Sequence, residues 1–272
     1  MMRKTKWQLN LLSIIIGLLI IAPILYALSL SLMTPAEISM FPPRLLPSQL
    51  RLDNYQLALS MVPFGRFLTN SLFVGICVTF GQLLTCSLAA YAFSFFEFKG
   101  KKLLFIAVLA TVMIPGEVII VSNYLTVSQL GWNDSLKALI IPFLTSGMGI
   151  FMVRQFFLTV PKDLHEAAVI DGCGHFQFLT TILVPISKPV MASLGIYVFI
   201  NTWNQYMWPL LTINNPNKRT VQIGISMLQF SEGNNYGVIL AGALMIIIPS
   251  IIVFVIGQKR LVDGMISGAI KG

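Results

Sequence analysis

LNLLSIIIGLLIIAPILYALSLSLM, residues 9–33, runs for 25 residues without a charged side chain. A helix needs about 20 mostly apolar residues to cross the hydrocarbon core of a bilayer, so this segment is long enough. Arg3, Lys4 and Lys6 precede it, and Ala27-Leu28-Ser29 has the small residues of a cleavage site, which is the layout of a secretion signal. The apolar core of such a signal is only about 7–15 residues long. The segment therefore reads as an uncleaved first span.

Working outward, five more stretches have the same character: 67–96, 103–127, 138–157, 189–213 and 238–257. Hydrocarbon offers no partner to an unpaired backbone amide, so these segments must be helices. The alternating ten-residue pattern of a membrane β-barrel is absent. The fold class is all-α, a polytopic membrane bundle of six transmembrane helices. Composition agrees: 56% of the residues are apolar and 10% charged, against about 25% charged in soluble domains. With a mean hydropathy of +0.82, that balance excludes an ordinary soluble enzyme, a secreted disulfide scaffold and a disordered chain.

The net charge of +8 would suggest nucleic acid in a soluble protein. Here it contains no block of five like charges and reads as loops beside an anionic lipid surface, so no nucleic-acid partner is expected. With the N-terminus inside, twelve Lys and Arg fall on the inner side and six on the outer. The positive-inside rule then puts both termini in the cytoplasm. The parts are a cytoplasmic N-terminus (1–8), a six-span domain (9–257) and a cytoplasmic tail (258–272). Trp203 and Trp208, in the outer part of the fifth span, suit an interfacial belt or a pore lining. Pro115-Gly116, Pro142 and Pro249 each remove a helix hydrogen bond inside a span, which allows a kink or a break beside a cavity.

The polar loop 158–188 carries the chemistry. Pro161-Lys162-Asp163-Leu164-His165-Glu166-Ala167-Ala168-Val169-Ile170-Asp171-Gly172 has proline near its start and glycine just past its end, the punctuation of a short helix. Ala167 and Ala168 flatten one face, so that another backbone could approach. A second helix follows a Gly172-Cys173-Gly174 hinge, with Phe176, Leu179 and Ile182 on one stripe and Pro185 closing it.

Glu166-Ala167-Ala168, then Gly172, then Ile182-Leu183-Val184-Pro185 resembles the EAA loop of the permeases of binding-protein-dependent ABC importers. Val184 stands where that family usually has leucine. The flanking Pro161-Lys162-Asp163-Leu164 and Ile170-Asp171-Gly172 are similar to the carbohydrate branch, the maltose-type and glycerol-3-phosphate-type permeases. So are residues 203–210, Trp-Asn-Gln-Tyr-Met-Trp-Pro-Leu, and the tail Gln258-Lys259-Arg260-Leu261-Val262-Asp263-Gly264. The resemblance covers most of the chain and implies the type I ABC importer permease fold.

It also implies a mechanism. The loop would be the coupling helix, seated in a cleft of a cytoplasmic ATPase, with Glu166, Ala167, Ala168, Asp171, Gly172 and Pro185 as its coupling residues. Gly172 would supply a positive φ. The implied partners are a second permease in a heterodimer, two ATP-binding subunits and an extracytoplasmic solute-binding protein, all at a bacterial cytoplasmic membrane. No catalytic residue is expected. The chain has no Gly-x-x-x-x-Gly-Lys-Ser/Thr loop, so no cofactor is expected in this subunit, and the partner ATPases would hold ATP and Mg.

Polar groups inside spans are costly and mark a pathway by default. Asn201, Asn204, Gln205 and Tyr206 in the fifth span would suit a sugar, with Asn70, Gln82 and Thr85 of the second span as weaker candidates. Helix–helix hydrogen bonding is the other reading of these groups. Glu117 is the acid deepest in a span and is carried as a pathway candidate that pairs within the bundle or faces an outer vestibule. It motivates one rival, an ion-coupled secondary transporter; a membrane scaffold recruiting a cytoplasmic protein is another. His165 and His175 lack a second ligand pair, so no metal site is expected, and the three cysteines read as small buried residues.

Overall fold

The computed structural model describes residues 2–232 and 235–269. The side chains of Arg3, Lys4, Lys6, Lys259, Arg260 and Lys271, which enter the charge count, lie outside those described, as do most of the tail's. Among the described residues every regular element is helical. Four helices are long and apolar enough to cross a bilayer: Leu9–Ser31, Phe64–Phe95, Leu136–Phe157 and Tyr236–Gln258. A further pair, His175–Ile186 and Lys188–Trp203, meets at 82°.

The third and fifth expected spans are interrupted. The third is a helix Lys101–Val112 and a helix Ile120–Gln129, separated by the segment that holds Pro115 and Gly116. Pro115 cannot donate to the preceding turn and disfavours helical geometry in the residue before it. In the fifth, Lys188–Trp203 stops and Met207–Thr212 restarts. Pro209 has no N–H for the Gln205 carbonyl and sits in the first turn of the new helix, where none is needed. Pro142 sits in a 3-10 turn, Ile141–Phe143, near the start of the fourth. Pro249, by contrast, is carried inside the continuous helix Tyr236–Ala269, whose backbone extends well into the stretch read as a tail.

The chain divides into two compact units. The first comprises residues 1–65 and 223–248. Its core gathers Met33, Ala58, Val62, Phe64, Leu228, Val238 and Ala241. Buried Asn54 donates through Nδ2 to the Ser31 and Met33 carbonyls, both at 2.8 Å, and so satisfies the open end of the first helix. Most of that helix is exposed and apolar, as expected of a surface made for lipid.

Beyond it, Thr34 and Glu37 form a capping box. The Glu37 carboxylate accepts from the Thr34 N–H at 2.9 Å, from the Ser48 N–H at 3.0 Å and from the Ser48 hydroxyl. These bonds, that of the Ser48 hydroxyl foremost, lower its pKa from 4.5 to about 2. A lowered carboxylate pKa stabilises the fold above the unfolded value and loses that effect as pH falls through the folded one. Segment 34–48 is therefore expected to loosen between pH 4.5 and about 2. Hydrogen exchange corrected for intrinsic rates should show the change in the wild type and not in Glu37→Gln; equal pH responses would refute it.

The second unit comprises 66–222 and 249–272. Its core runs through Val78, Cys86, Ala90, Val153, Phe157, Phe178, Leu183 and Leu194. Small residues let helices approach: a Cβ on Gly147 would stand 2.7 Å from the Val108 carbonyl oxygen, so helix Lys101–Val112 crosses helix Gly147–Phe157 at a position only glycine fills. Trp203 and Trp208 belong to neither an interfacial belt nor a pore lining. Both are buried, and Trp208 Nε1 donates to the Ala138 carbonyl at 3.0 Å, because the break after Trp203 turns the ring into the bundle. Of the cysteines only Cys86 is fully buried; Cys77 and Cys173 are half-covered. On the loop side, Asp134 Oδ1 accepts the N–H groups of Asn214 at 2.5 Å and Asn215 at 2.8 Å. Those two bonds, the Asn215 one first, lower its pKa.

Candidate functional site: a loop helix and a polar cavity

The loop helix runs Lys162–Ile170. Pro161 is its N-cap rather than its first helical residue. Its end is a Schellman motif: Cys173 N–H donates to the Ala168 carbonyl at 2.8 Å and Gly172 N–H to the Val169 carbonyl at 3.0 Å. Gly172 takes φ +76°, a conformation that residues with a Cβ adopt at a cost.

Helical spacing sorts the side chains of this helix into two faces. Asp163, Glu166, Ala167 and Ile170, at i, i+3, i+4 and i+7, are exposed, while Leu164, His165 and Ala168 turn inward. The two alanines therefore do not share one flat face. Ala168 is core, and Ala167 alone lies beside the Glu166 carboxylate. Ile170 is 85% exposed, so the outward face is an acid flanked by apolar and small groups.

An aromatic cluster holds this helix. His165 meets the edge of Phe178 at 4.8 Å, lies 5.1 Å from Phe95 and stacks on His175 at 6.1 Å. His175 packs edge-on to Phe96 at 4.8 Å, and its Nδ1 lies 3.0 Å from the Tyr91 hydroxyl. Each such ring pair adds about 0.5–1.5 kcal/mol beyond burial. The two histidines are thus anchors, and no group of three or more His, Cys, Asp or Glu able to hold a metal occurs among the described residues. Tyr91, Phe95 and Phe96 were not among the expected site residues. The aromatic run 91–96 at the end of the second span was the signal for them.

The second loop helix departs from its expected pattern. Phe178–Leu183 is a π-helix, a turn type common at functional sites. Pro185 lies beyond it inside a short Val184–Ile186 turn, exposed and not terminating. Without an N–H, and with a ring that crowds the preceding carbonyls, it is accommodated by the wider turn. The phase shifts accordingly: Phe178 and Leu183, five apart, are buried, whereas Phe176 is 71% exposed and is not on the apolar stripe. Asp171 is the exposed C-cap of the first helix.

Apart from the loop, a cavity of about 560 Å³ opens among the spans of the second unit. Gln82, Ser146, Tyr197, Asn201, Thr202 and Gln205 give it its polar wall. Gln82 is fixed by donating to the Phe143 carbonyl and accepting from the Ser146 hydroxyl, both at 2.8 Å. Asn201 donates its amide N–H to the Tyr197 carbonyl at 2.7 Å, and its carbonyl oxygen has no hydrogen-bond partner among the described residues. Of the expected pathway residues, Asn201, Gln205 and, from the weaker second-span set, Gln82 line this cavity. Asn204 instead accepts from Gln222 at 3.4 Å, Tyr206 does not line the cavity, and Glu117 stands exposed in the break after Pro115 rather than inside a helix. Asn70 and Thr85 donate to backbone carbonyls. Thr202, one of the polar residues of the fifth span, lines it too, whereas Tyr197 and Ser146 were missed because each is unremarkable until a break opens space beside it.

Residues 10–265 match the family described as the binding-protein-dependent transport system inner membrane component. The chain belongs to that family. This permease is 36% identical over 265 residues to the sn-glycerol-3-phosphate transport system permease protein UgpE of Rhizobium meliloti, covering 94% of each chain. It is 33% identical over 231 residues to the arabinooligosaccharides transport system permease protein AraQ of Halalkalibacterium halodurans, covering 83% of this chain and 81% of that one. A bacterial ABC transporter involved in import of the acidic polysaccharide alginate shares the fold, with a TM-score of 0.83 at 24% identity over 94% of this chain and 96% of that one. The permease is therefore the inner-membrane subunit of an ABC importer and not an enzyme. Permeases of this family work with a partner permease, ATPase subunits and a binding protein, and in general carry no cofactor.

Proposed function

We propose that the permease passes a hydroxyl-rich carbohydrate inward, driven by two ATPase subunits that bind ATP and Mg and meet it at the Lys162–Ile170 helix. The supporting observation is the outward stripe of that helix, an exposed acid between apolar groups on a rigid aromatic mount. Val169 and Ile170 are exposed together, 53% and 85%, and an exposed apolar patch rimmed by polar groups suits a protein contact. Asp171 and Gly172 end the docking helix, and Ala168 and Pro185 shape its support. Both termini lie in the cytoplasm in this reading, the second permease forms a heterodimer with this one, and the binding protein meets the opposite side.

The carbohydrate assignment draws on the cavity. Its amides and hydroxyls beside Tyr197 suit hydroxyl groups above a partly apolar ring, and the relatives are named for glycerol 3-phosphate and for arabino-oligosaccharides. Asn201→Ala and Gln205→Ala should each remove one hydrogen bond to solute. A neutral bond is worth about 0.5–1.5 kcal/mol, so the concentration for half-maximal uptake should rise about 2- to 10-fold in proteoliposomes holding the whole complex. Unchanged kinetics in both variants would remove the cavity from the pathway. Uptake driven by a proton or sodium gradient without ATPase subunits would overturn the reading as a whole.

A further inference from the structure

A second cavity, of about 810 Å³, lies where helix Lys101–Val112 begins, and neither coupling nor the solute pathway uses it. Its polar lining is Lys101, Lys102 and Arg154 against one carboxylate, Glu97. Glu97 is already matched by Lys101, whose Nζ lies 3.0 Å from it. Lys102 has no ion pair or hydrogen bond to any described side chain. Arg154 is held in place: Nε donates to the Phe93 carbonyl at 3.2 Å, and the guanidinium carbon sits 4.0 Å above the Phe105 ring. Its terminal nitrogens are left for another acceptor. The result is a fixed guanidinium and a free ammonium on one cavity wall, where the carboxylate among the described lining residues, Glu97, is already paired with Lys101.

The other wall is apolar and open. Leu103 is 72% exposed and Ile106 51%, directly beside the cations. An inorganic anion would use only the basic wall. A molecule that carries a phosphate next to hydrocarbon uses both, and guanidinium groups are matched in geometry to phosphate oxygens.

We propose that this cavity binds the phosphate of an acidic phospholipid, with the acyl chains along Leu103 and Ile106. Basic pockets between membrane helices are suited to such headgroups. The proposal rests on the membrane location of the permease and is independent of its solute and of the role of Glu166.

The test labels the intact importer, in lipid nanodiscs, with photoactivatable phosphatidylglycerol or phosphatidylcholine and measures label on residues 97–106. Phosphatidylglycerol should label this segment in preference to phosphatidylcholine, and excess inorganic phosphate should not displace it. Lys102→Gln, an exposed change that disturbs no packing, should cut the label about fivefold, the worth of one basic residue at an acidic surface. Equal labelling by the two lipids, or unchanged labelling in Lys102→Gln, would overturn the proposal. Displacement by inorganic phosphate would assign a free-anion site instead. Loss of the ATPase subunits from Lys102→Gln with lipid labelling intact would make the patch a protein contact, and the proposal would fail.

Discussion

Glu166→Lys is expected to abolish ATP-dependent uptake while leaving the permease folded and in the membrane. Glu166 is exposed, and no described residue pairs with it. Surface changes of that kind alter stability by about 0.5 kcal/mol or less, and lysine is as good a helix former as glutamate. The loss would therefore arise at the partner. A hydrogen bond to a charged group contributes about 1.5–3 kcal/mol, which is roughly a 10- to 150-fold change in docking strength at 1.4 kcal/mol per decade. Charge reversal adds repulsion to that loss. Uptake should fall at least about tenfold, and the ATPases should either dissociate or hydrolyse ATP without transport. Uptake at the wild-type rate would show that this carboxylate does not couple.

Phe178→Ala tests the mount instead of the contact. Phe178 is 1% exposed and lies against Tyr91, Phe95 and His165, with ring centroids 6.3, 5.6 and 4.8 Å away. Truncating a buried phenylalanine costs about 3–5 kcal/mol, here concentrated where the loop helix meets the second span. The spans away from that site keep their own contacts, so insertion should persist while residues 162–186 exchange amide hydrogens orders of magnitude faster, as a local opening energy falls. Uptake should drop with it. Leu183→Ala, in the same cluster, should act in the same direction by about 2–5 kcal/mol. Loop protection equal to wild type in Phe178→Ala would mean that the aromatic cluster does not carry the helix. The two variants separate the readings: Glu166→Lys breaks docking with a rigid loop, and Phe178→Ala loosens the loop with its acid intact.

Much of this site was legible in the residues. Pro161 and Gly172 bracket a helix because one lacks a donor and the other tolerates positive φ, and both statements hold whatever surrounds them. The EAA pattern could be read for the same reason, since it is local. The breaks in the third and fifth spans were only half legible. Pro115 marked its own interruption, but Pro209 lies past the break it accompanies, which falls in the polar stretch 204–206. The polar cavity was least legible, because Gln82, Ser146 and Asn201 come from three spans and converge only where those breaks leave room.

Hydrophobic length over residues 9–33 and their counterparts, with no charge in the first and at most one in any other, was enough to require a membrane bundle, since hydrocarbon admits no unpaired backbone. Local backbone chemistry was enough to delimit the loop helix. Facing was decided by the tertiary structure. Which alanine points outward, why Phe176 leaves its stripe and what the two histidines do all depend on the phase of one helix against its neighbours. A single π turn shifts that phase, and an amino-acid pattern records periodicity without recording which side is occupied.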